Sequence, residues 1–293
     1  MSGENVPNWS NTDFPYMCLR DERRTEVLRD AIERAVSPGD VVVELGGGTG
    51  ILSFFAARAG ASRVLVVEID PLLAHTLRGS IAANGLGDVV EVIEGDALQV
   101  ALPDDIDLII SEMIETALLD ELQVPAMNRL HRDGIISPAT KLIPHAYTTN
   151  AQLVTADLDY YGFTILAPKH LWPFYDESSS WTTTGVCAAS SVVVVCEDDF
   201  VKGPVPTAIT ETVTFEDVDP GGPNAIRLSG VLHLGPGLEL GPTNALNGDK
   251  VIPLDRVVVP SDDGTVVMQI SFERGGGLGS ARFEQVFTSA EAR

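Results

Sequence analysis

Two acidic residues set among glycines and strand ends are the first groups in this 293-residue chain that could do chemistry. Glu44 sits in Val41-Val42-Val43-Glu44-Leu45-Gly46-Gly47-Gly48-Thr49-Gly50, where a β-branched run passes into a glycine-rich turn. Gly46, Gly48 and Gly50 alternate, so the backbone can bend sharply and approach a ligand with no Cβ in the way. A dinucleotide fingerprint would need its third glycine one residue later, where Ile51 stands. An acid just ahead of the glycines also suits a cationic ligand better than a pyrophosphate. The second acid, Glu68, ends the apolar stretch that begins at Arg63. A carboxylate accepts hydrogen bonds and donates none, so one at a strand tip can take both hydroxyls of a ribose diol.

Positioning these groups requires alternating strands and helices. The pattern predicts a helix from Arg20 to Val36 with a stripe of Val27, Leu28, Ala31, Ile32 and Ala35. Strands follow at Val41–Leu45, Arg63–Val67, Val89–Glu94 and Ile106–Ile110, apolar throughout as buried parallel strands are. Helices at Ile51–Ala59 and Leu72–Asn84 connect them, the second capped by Asp70 with Pro71 in its first turn and stopped by Gly85. Residues 1–15, polar and rich in Asn and Pro, are expected to be flexible. A stretch from Asp133 through His145 to Leu153 reads as the last strand of this half leading into a second domain. Beyond it the pattern changes to short strands at Gly185–Cys196, Ile209–Phe215, Ile226–Leu234, Lys250–Val259, Val266–Glu273 and Arg282–Phe287, separated by Pro/Gly turns. The expected fold is α/β: a Rossmann-like domain over residues 1–145, then a mostly β, barrel-like domain over 146–293.

With those elements in place, Glu44-x-Gly46-x-Gly48-x-Gly50 resembles motif I of the class I S-adenosylmethionine (SAM) methyltransferases. The resemblance implies SAM as cofactor, with Glu44, Gly46, Gly48, Gly50 and Glu68 among its ligands. It also implies Asp96 and Ala97, after the third strand, at the adenine. Cys18-Leu19-Arg20-Asp21-Glu22-Arg23-Arg24-Thr25 resembles the helix that closes over the cofactor in protein arginine methyltransferases, which places Arg24 on the methionine carboxylate. Ser111-Glu112 through Glu121 resembles that family's double-glutamate loop. Two carboxylates there can grip a planar guanidinium by paired charged hydrogen bonds, which implies Glu112 and Glu121 as the catalytic pair. The likeness spans nearly the whole chain and is detailed from Cys18 to Pro144.

Three departures stand out. The tyrosine-rich segment ahead of the first helix is reduced to Phe14-Pro15-Tyr16, and Ile114-Glu115 stand where the family has Gly after the Met of the loop. The barrel's Thr-His-Trp triplet is represented by Thr243-Asn244-Ala245, without its His and Trp. A small-molecule acceptor, or a SAM-binding regulator without catalysis, are therefore alternatives to a protein acceptor. No long helical arm for dimerisation is present; Tyr160–Trp181 is read as a shorter contact element or as loop and core aromatics, which leaves a homodimer open.

Composition narrows the remaining classes. A net charge of −23 argues against binding along nucleic acid, which needs a basic surface. It fits adaptation to high salt, or an acidic face that draws cationic substrates. Lysines number four: Lys141, Lys169, Lys202 and Lys250. No run of about 18 apolar residues indicates a membrane span. Met1 to Ser10 has no signal-peptide apolar region, and Cys18, Cys187 and Cys196 have no metal-ligand spacing. A cytoplasmic location, reduced thiols and no metal are the expectations.

Overall fold

A computed structural model describes residues 14–171 and 185–287. The chain opens with α1 (Phe14–Arg20) and α2 (Glu22–Ala35), followed by β1 (Val41–Leu45), α3 (Ile51–Arg58), β2 (Arg63–Glu68) and α4 (Pro71–Ala83). β3 (Val90–Glu94), β4 (Leu108–Ser111), α5 (Gln123–Arg132) and β5 (Lys141–Ile143) complete the first half. Its five strands form a wholly parallel sheet in the order β3-β2-β1-β4-β5. Val42, Val43, Val64–Val67 and Leu108–Ile110 are buried, as strands covered on both faces must be. The chain order reverses between β1 and β4, and in such sheets ligands settle at the carboxyl ends of the strands beside that reversal.

The helix expected from Arg20 to Val36 is α2, and a further helix, α1, precedes it, with Asp21 between the two. The Asp21 carboxylate accepts from the Arg24 amide at 3.1 Å as the N-cap of α2. The tail expected to be flexible to residue 15 is helical from Phe14, within α1; residues 1–13 lie outside the described residues. In α2, Leu28, Ala31 and Ile32 turn inward against the sheet. α4 is capped as its sequence requires, with Asp70 accepting from Leu72 N at 2.7 Å and Leu73 N at 3.1 Å.

The second half carries β6 (Ala146–Ala156), β7 (Asp159–Tyr160), β8 (Phe163–Thr164), β9 (Lys169–Leu171), β10 (Val186–Asp199) and β11 (Ala208–Phe215). β12 (Ala225–Gly235), β13 (Leu238–Leu240), β14 (Asp249–Pro253), β15 (Val266–Glu273) and β16 (Arg282–Gln285) follow. One antiparallel sheet runs β10-β6-β12-β14-β9 with β13 on β12, a second runs β11-β15-β16, and β7 pairs with β8. Ile226, Leu228, Phe215, Met268, Ile270 and Phe272 fill a core between the two larger sheets. The stretch expected as one strand to Leu153 is two: β5 closes the parallel sheet, and β6 begins the antiparallel one after Pro144-His145. The strand expected to reach Val259 stops at Pro253, since a proline has no N–H for the ladder. The aromatics Trp172, Phe174, Tyr175 and Trp181 lie outside the described residues.

Candidate active site

A single pocket joins the glycine turn after β1 to the loop after β4, and Arg24, Glu44, Gly46, Glu68, Asp96, Ala97, Glu112 and Glu121 all line it. Residues spread over a hundred positions of sequence converge because each sits at the carboxyl end of a strand or on the helix that covers it. The three glycines have φ of 73°, 52° and 77°, the left-handed region that L side chains rarely adopt. Gly50 is the N-cap of α3, and a Cβ there would lie 2.2 Å from Leu77 Cδ1. At Gly46 a Cβ would meet Met113 Cγ at 2.8 Å, so the turn is bare where α1 and the loop approach it.

Glu68 is buried and braces this turn: Oε2 accepts from Gly48 N at 2.7 Å and Oε1 from Asp70 N at 2.8 Å. Each carboxylate oxygen keeps a second lone pair, enough for a diol. Glu44 Oε2 accepts from Ser53 N at 2.9 Å and from the Ser53 hydroxyl. Burial pushes the Glu44 carboxyl up to about 8 in spite of those bonds; Glu68 adds to the rise and Arg24 opposes it. Glu44 therefore holds a proton near neutrality until a cation arrives. Asp96 accepts from Leu98 N at 2.8 Å and from Gln99 Nε2 at 2.7 Å, which presents Ala97 to the pocket.

At the other end, the Arg24 guanidinium forms a buried ion pair with Glu112. Its second nitrogen donates to Cys18 O at 3.4 Å, and the Thr25 hydroxyl donates to the same carbonyl at 3.1 Å. Burial raises the Glu112 carboxyl, with Arg24 holding it back. Glu121 has no hydrogen-bond partner among the described residues. Burial raises its carboxyl well above the usual range, and Glu112 and Glu115 push it further. Burial also lifts the Cys18 thiol up to about 12, so it stays protonated beside these acids.

The 112–121 loop passes through a left-handed turn. Ala117 and Leu118 have φ of 62° and 58°, unfavourable for residues with a Cβ, and the surroundings fix them there. Ala117 N donates to Tyr147 Oη at 2.9 Å, and that hydroxyl donates to Asn247 Oδ1 at 2.8 Å. The Thr116 hydroxyl bonds to the Gly248 and Leu246 carbonyls. Ser111 Oγ and Met113 N both donate to Gln123 Oε1, steadying the backbone around Glu112. The segment at Thr243-Asn244-Ala245 does border the pocket, and Asn244 N donates to Asp21 Oδ2 at 2.6 Å. Ala245 and Leu246 supply the wall where His and Trp are missing.

Sequence reasoning passed over Asp21, Ser53, Gln123, Tyr147 and Asn247. Ser53, a hydroxyl in the first turn of a helix that begins just after an acid, and Asp21, an acid three residues before the amide it caps, carried local signals. The remaining contacts act across separations of up to 223 residues, which no local pattern reveals.

A family model for the TRM5/TYW2 methyltransferase domain matches residues 21–154. The chain is 32% identical over 277 residues to an uncharacterized protein of Methanocaldococcus jannaschii, covering 94% of this chain and 96% of that one. It is 35% identical over 157 residues to the arginine N(omega)-methyltransferase of Streptomyces achromogenes subsp. streptozoticus, a match over 52% of this chain and 42% of that enzyme. The chain thus spans nearly all of the first relative and less than half of the second. Among solved structures, the Trypanosoma brucei PRMT1 enzyme–prozyme heterotetrameric complex with AdoHcy matches with a TM-score of 0.67 at 20% identity. That match covers 94% of this chain and 100% of that one, and is a likeness of fold.

Proposed function

This chain belongs to the family of the Methanocaldococcus jannaschii protein and is a SAM-dependent methyltransferase resembling the protein arginine methyltransferases; from that premise we propose that it methylates a guanidinium nitrogen. The observation that carries this reading is the convergence of Glu112 and Glu121 on the pocket that holds the glycine turn and Glu68. The residues present fit SAM. Glu68 would hold the ribose diol, Asp96 and Ala97 the adenine, Arg24 the carboxylate, and Glu44 with the bare Gly46–Gly50 turn the cationic methionine end. When bound, SAM supplies a methyl group activated by its sulfonium.

The chain's own residues then align and discharge the acceptor. Glu112 and Glu121 hold the guanidinium by charged hydrogen bonds and localise its charge on one nitrogen, so that the other faces the methyl group. A guanidinium keeps its proton in water, so proton loss accompanies or follows transfer, with a glutamate as the nearest acceptor.

A small guanidine or amine as acceptor is the second reading. It is favoured by the aliphatic Ala245–Leu246 wall and by the likeness to the Streptomyces enzyme. A cytoplasmic location and a division into domains at residues 145/146 belong to the same proposal.

The test is incubation with methyl-labelled SAM and, separately, free L-arginine, an arginine-rich peptide and an alkylamine. Label on a guanidino nitrogen that vanishes in Glu112→Gln and Glu121→Gln supports the reading. Transfer only to the amine, or transfer indifferent to both substitutions, sinks it.

A further inference from the structure

We propose that Lys250 is a positioning residue for Glu121, a role that rests on the reading of Glu112 and Glu121 as the acceptor grip. Lys250 lies on β14, in the second half of the chain, with its side chain only 9% exposed. Its ammonium forms an ion pair with Glu115 and another with Asp120 at 2.5 Å. The same two acids are joined directly, Asp120 N donating to Glu115 Oε2 at 3.1 Å. One buried cation thus clasps both sides of the left-handed turn at Ala117–Leu118, and the second clasped residue is the immediate neighbour of Glu121.

The far side of the loop is fastened too. Asp120 Oδ1 accepts from Leu278 N at 3.0 Å, while Gly275 N and Gly277 N donate to the Leu118 and Leu119 carbonyls at 3.0 and 2.8 Å. Glu115 is buried, so its carboxylate needs a cationic partner. Lys250 supplies it, and the clasp makes the placement of Glu121 depend on the antiparallel sheet.

Charge gives the arrangement a second consequence. Glu112, Glu115, Asp120 and Glu121 fall within ten residues of buried or half-buried loop. The cations facing them are Arg24 from α2 and Lys250 from β14; Cys18 of α1 faces Glu121, and His170 of β9 faces Lys250 and Asp120. Loss of Lys250 leaves Asp120 without its cation, and Asp120 already raises the Glu121 carboxyl. The sign is upward: Glu121 ionises at a higher pH and grips a cation less well at a given pH.

The experiment compares wild type, Lys250→Met and Lys250→Arg in complex with S-adenosylhomocysteine. Carbon-13 NMR follows the Glu121 carboxyl through a pH titration, and isothermal titration gives cofactor affinity. In Lys250→Met the Glu121 midpoint is expected to rise by about one pH unit, with cofactor affinity within twofold of wild type. On a guanidino acceptor, KM rises at least tenfold while kcat changes less. Lys250→Arg, which keeps the charge and the clasp, restores the midpoint and KM. An unmoved Glu121 midpoint overturns the proposal, as does a loss of cofactor affinity equal to the rise in KM. If Lys250→Met does not fold, Lys250→Gln carries the same measurements. The NMR arm needs no acceptor, so wild type failing to methylate any guanidine would refute the acceptor reading and leave the Glu121–Lys250 coupling to be decided by the titration.

Discussion

Arg24 and Glu112 form a buried ion pair across the pocket, joining the helix over the cofactor end to the loop at the acceptor end. Each side chain is under a tenth exposed, so neither can lose its partner cheaply. The same arginine is the expected partner of the cofactor carboxylate, which ties the two ends of the site to one guanidinium.

That pairing predicts a separation of stability from binding. Arg24→Met alone strands the Glu112 charge and is expected to cost about 3 kcal/mol of stability. Arg24→Met/Glu112→Gln removes both charges and recovers most of it. Neither variant recovers S-adenosylhomocysteine affinity, expected to fall at least tenfold. Thermal melts and isothermal titration on the two variants read this directly. A double variant that binds like wild type would remove Arg24 from the cofactor site.

Glu68 has a double load, since it braces the glycine turn through Gly48 N and caps the strand end through Asp70 N. Glu68→Ala leaves both amides without their acceptor as well as removing the diol ligand. Cofactor affinity should drop by about 3 kcal/mol, near a hundredfold. Glu68→Gln keeps an acceptor oxygen for one amide and should bind more tightly than the alanine variant. Equal affinity of all three proteins would exclude Glu68 as the ribose ligand.

The raised carboxyl of Glu44 makes both stability and binding depend on pH. Its ordinary value is 4.5 and burial moves it to about 8, so the folded chain holds a proton that the unfolded chain gives up. The stabilisation is complete below about pH 4.5 and disappears as pH rises through about 8. A cationic cofactor favours the ionised form and reverses this, releasing a proton on binding near neutrality. Titration of SAM at pH 7 in phosphate and in Tris buffers should give heats that differ, and Glu44→Gln should abolish the difference. Identical heats for wild type in the two buffers would show that Glu44 does not ionise on binding.

How much of this was legible follows the range of each interaction. The strand–turn–helix of Val41 to Arg58 and the cap at Asp70 are local, and the sequence reading located them within a residue or so. Glu44 and Glu68 are legible as acids at strand ends, Arg24, Asp96, Glu112 and Glu121 only through resemblance to a family's motifs, and in the structure all six line one pocket. α2 starts two residues later than expected because its start is set by the Asp21 side-chain cap, with the distant Asn244 amide holding the same carboxylate. The role of Lys250 was illegible for a different reason. A lone lysine in an acidic chain reads as solvated, and its burial depends on Glu115 and Asp120 arriving from the loop after β4.

Tyr147 supports the acceptor loop from beneath. It is fully buried, and its hydroxyl both accepts the Ala117 amide and donates to Asn247. Tyr147→Phe fills the same volume but leaves that amide and that carbonyl without partners, at a cost of about 2 kcal/mol. The unfavourable φ at Ala117 is then held by fewer contacts, so the turn between Glu112 and Glu121 relaxes. The expected result is a several-fold rise in acceptor KM with cofactor affinity unchanged, since Tyr147 does not line the pocket. Gly230→Ala should reproduce it by another route, because a Cβ at Gly230 would lie 1.6 Å from the Tyr147 hydroxyl and displace it. Steady-state kinetics on both variants, with S-adenosylhomocysteine titrations beside them, decide the matter. If both lose cofactor and acceptor affinity together, Tyr147 stabilises the fold in general; if acceptor KM alone moves, the hydroxyl sets the geometry of the glutamate pair.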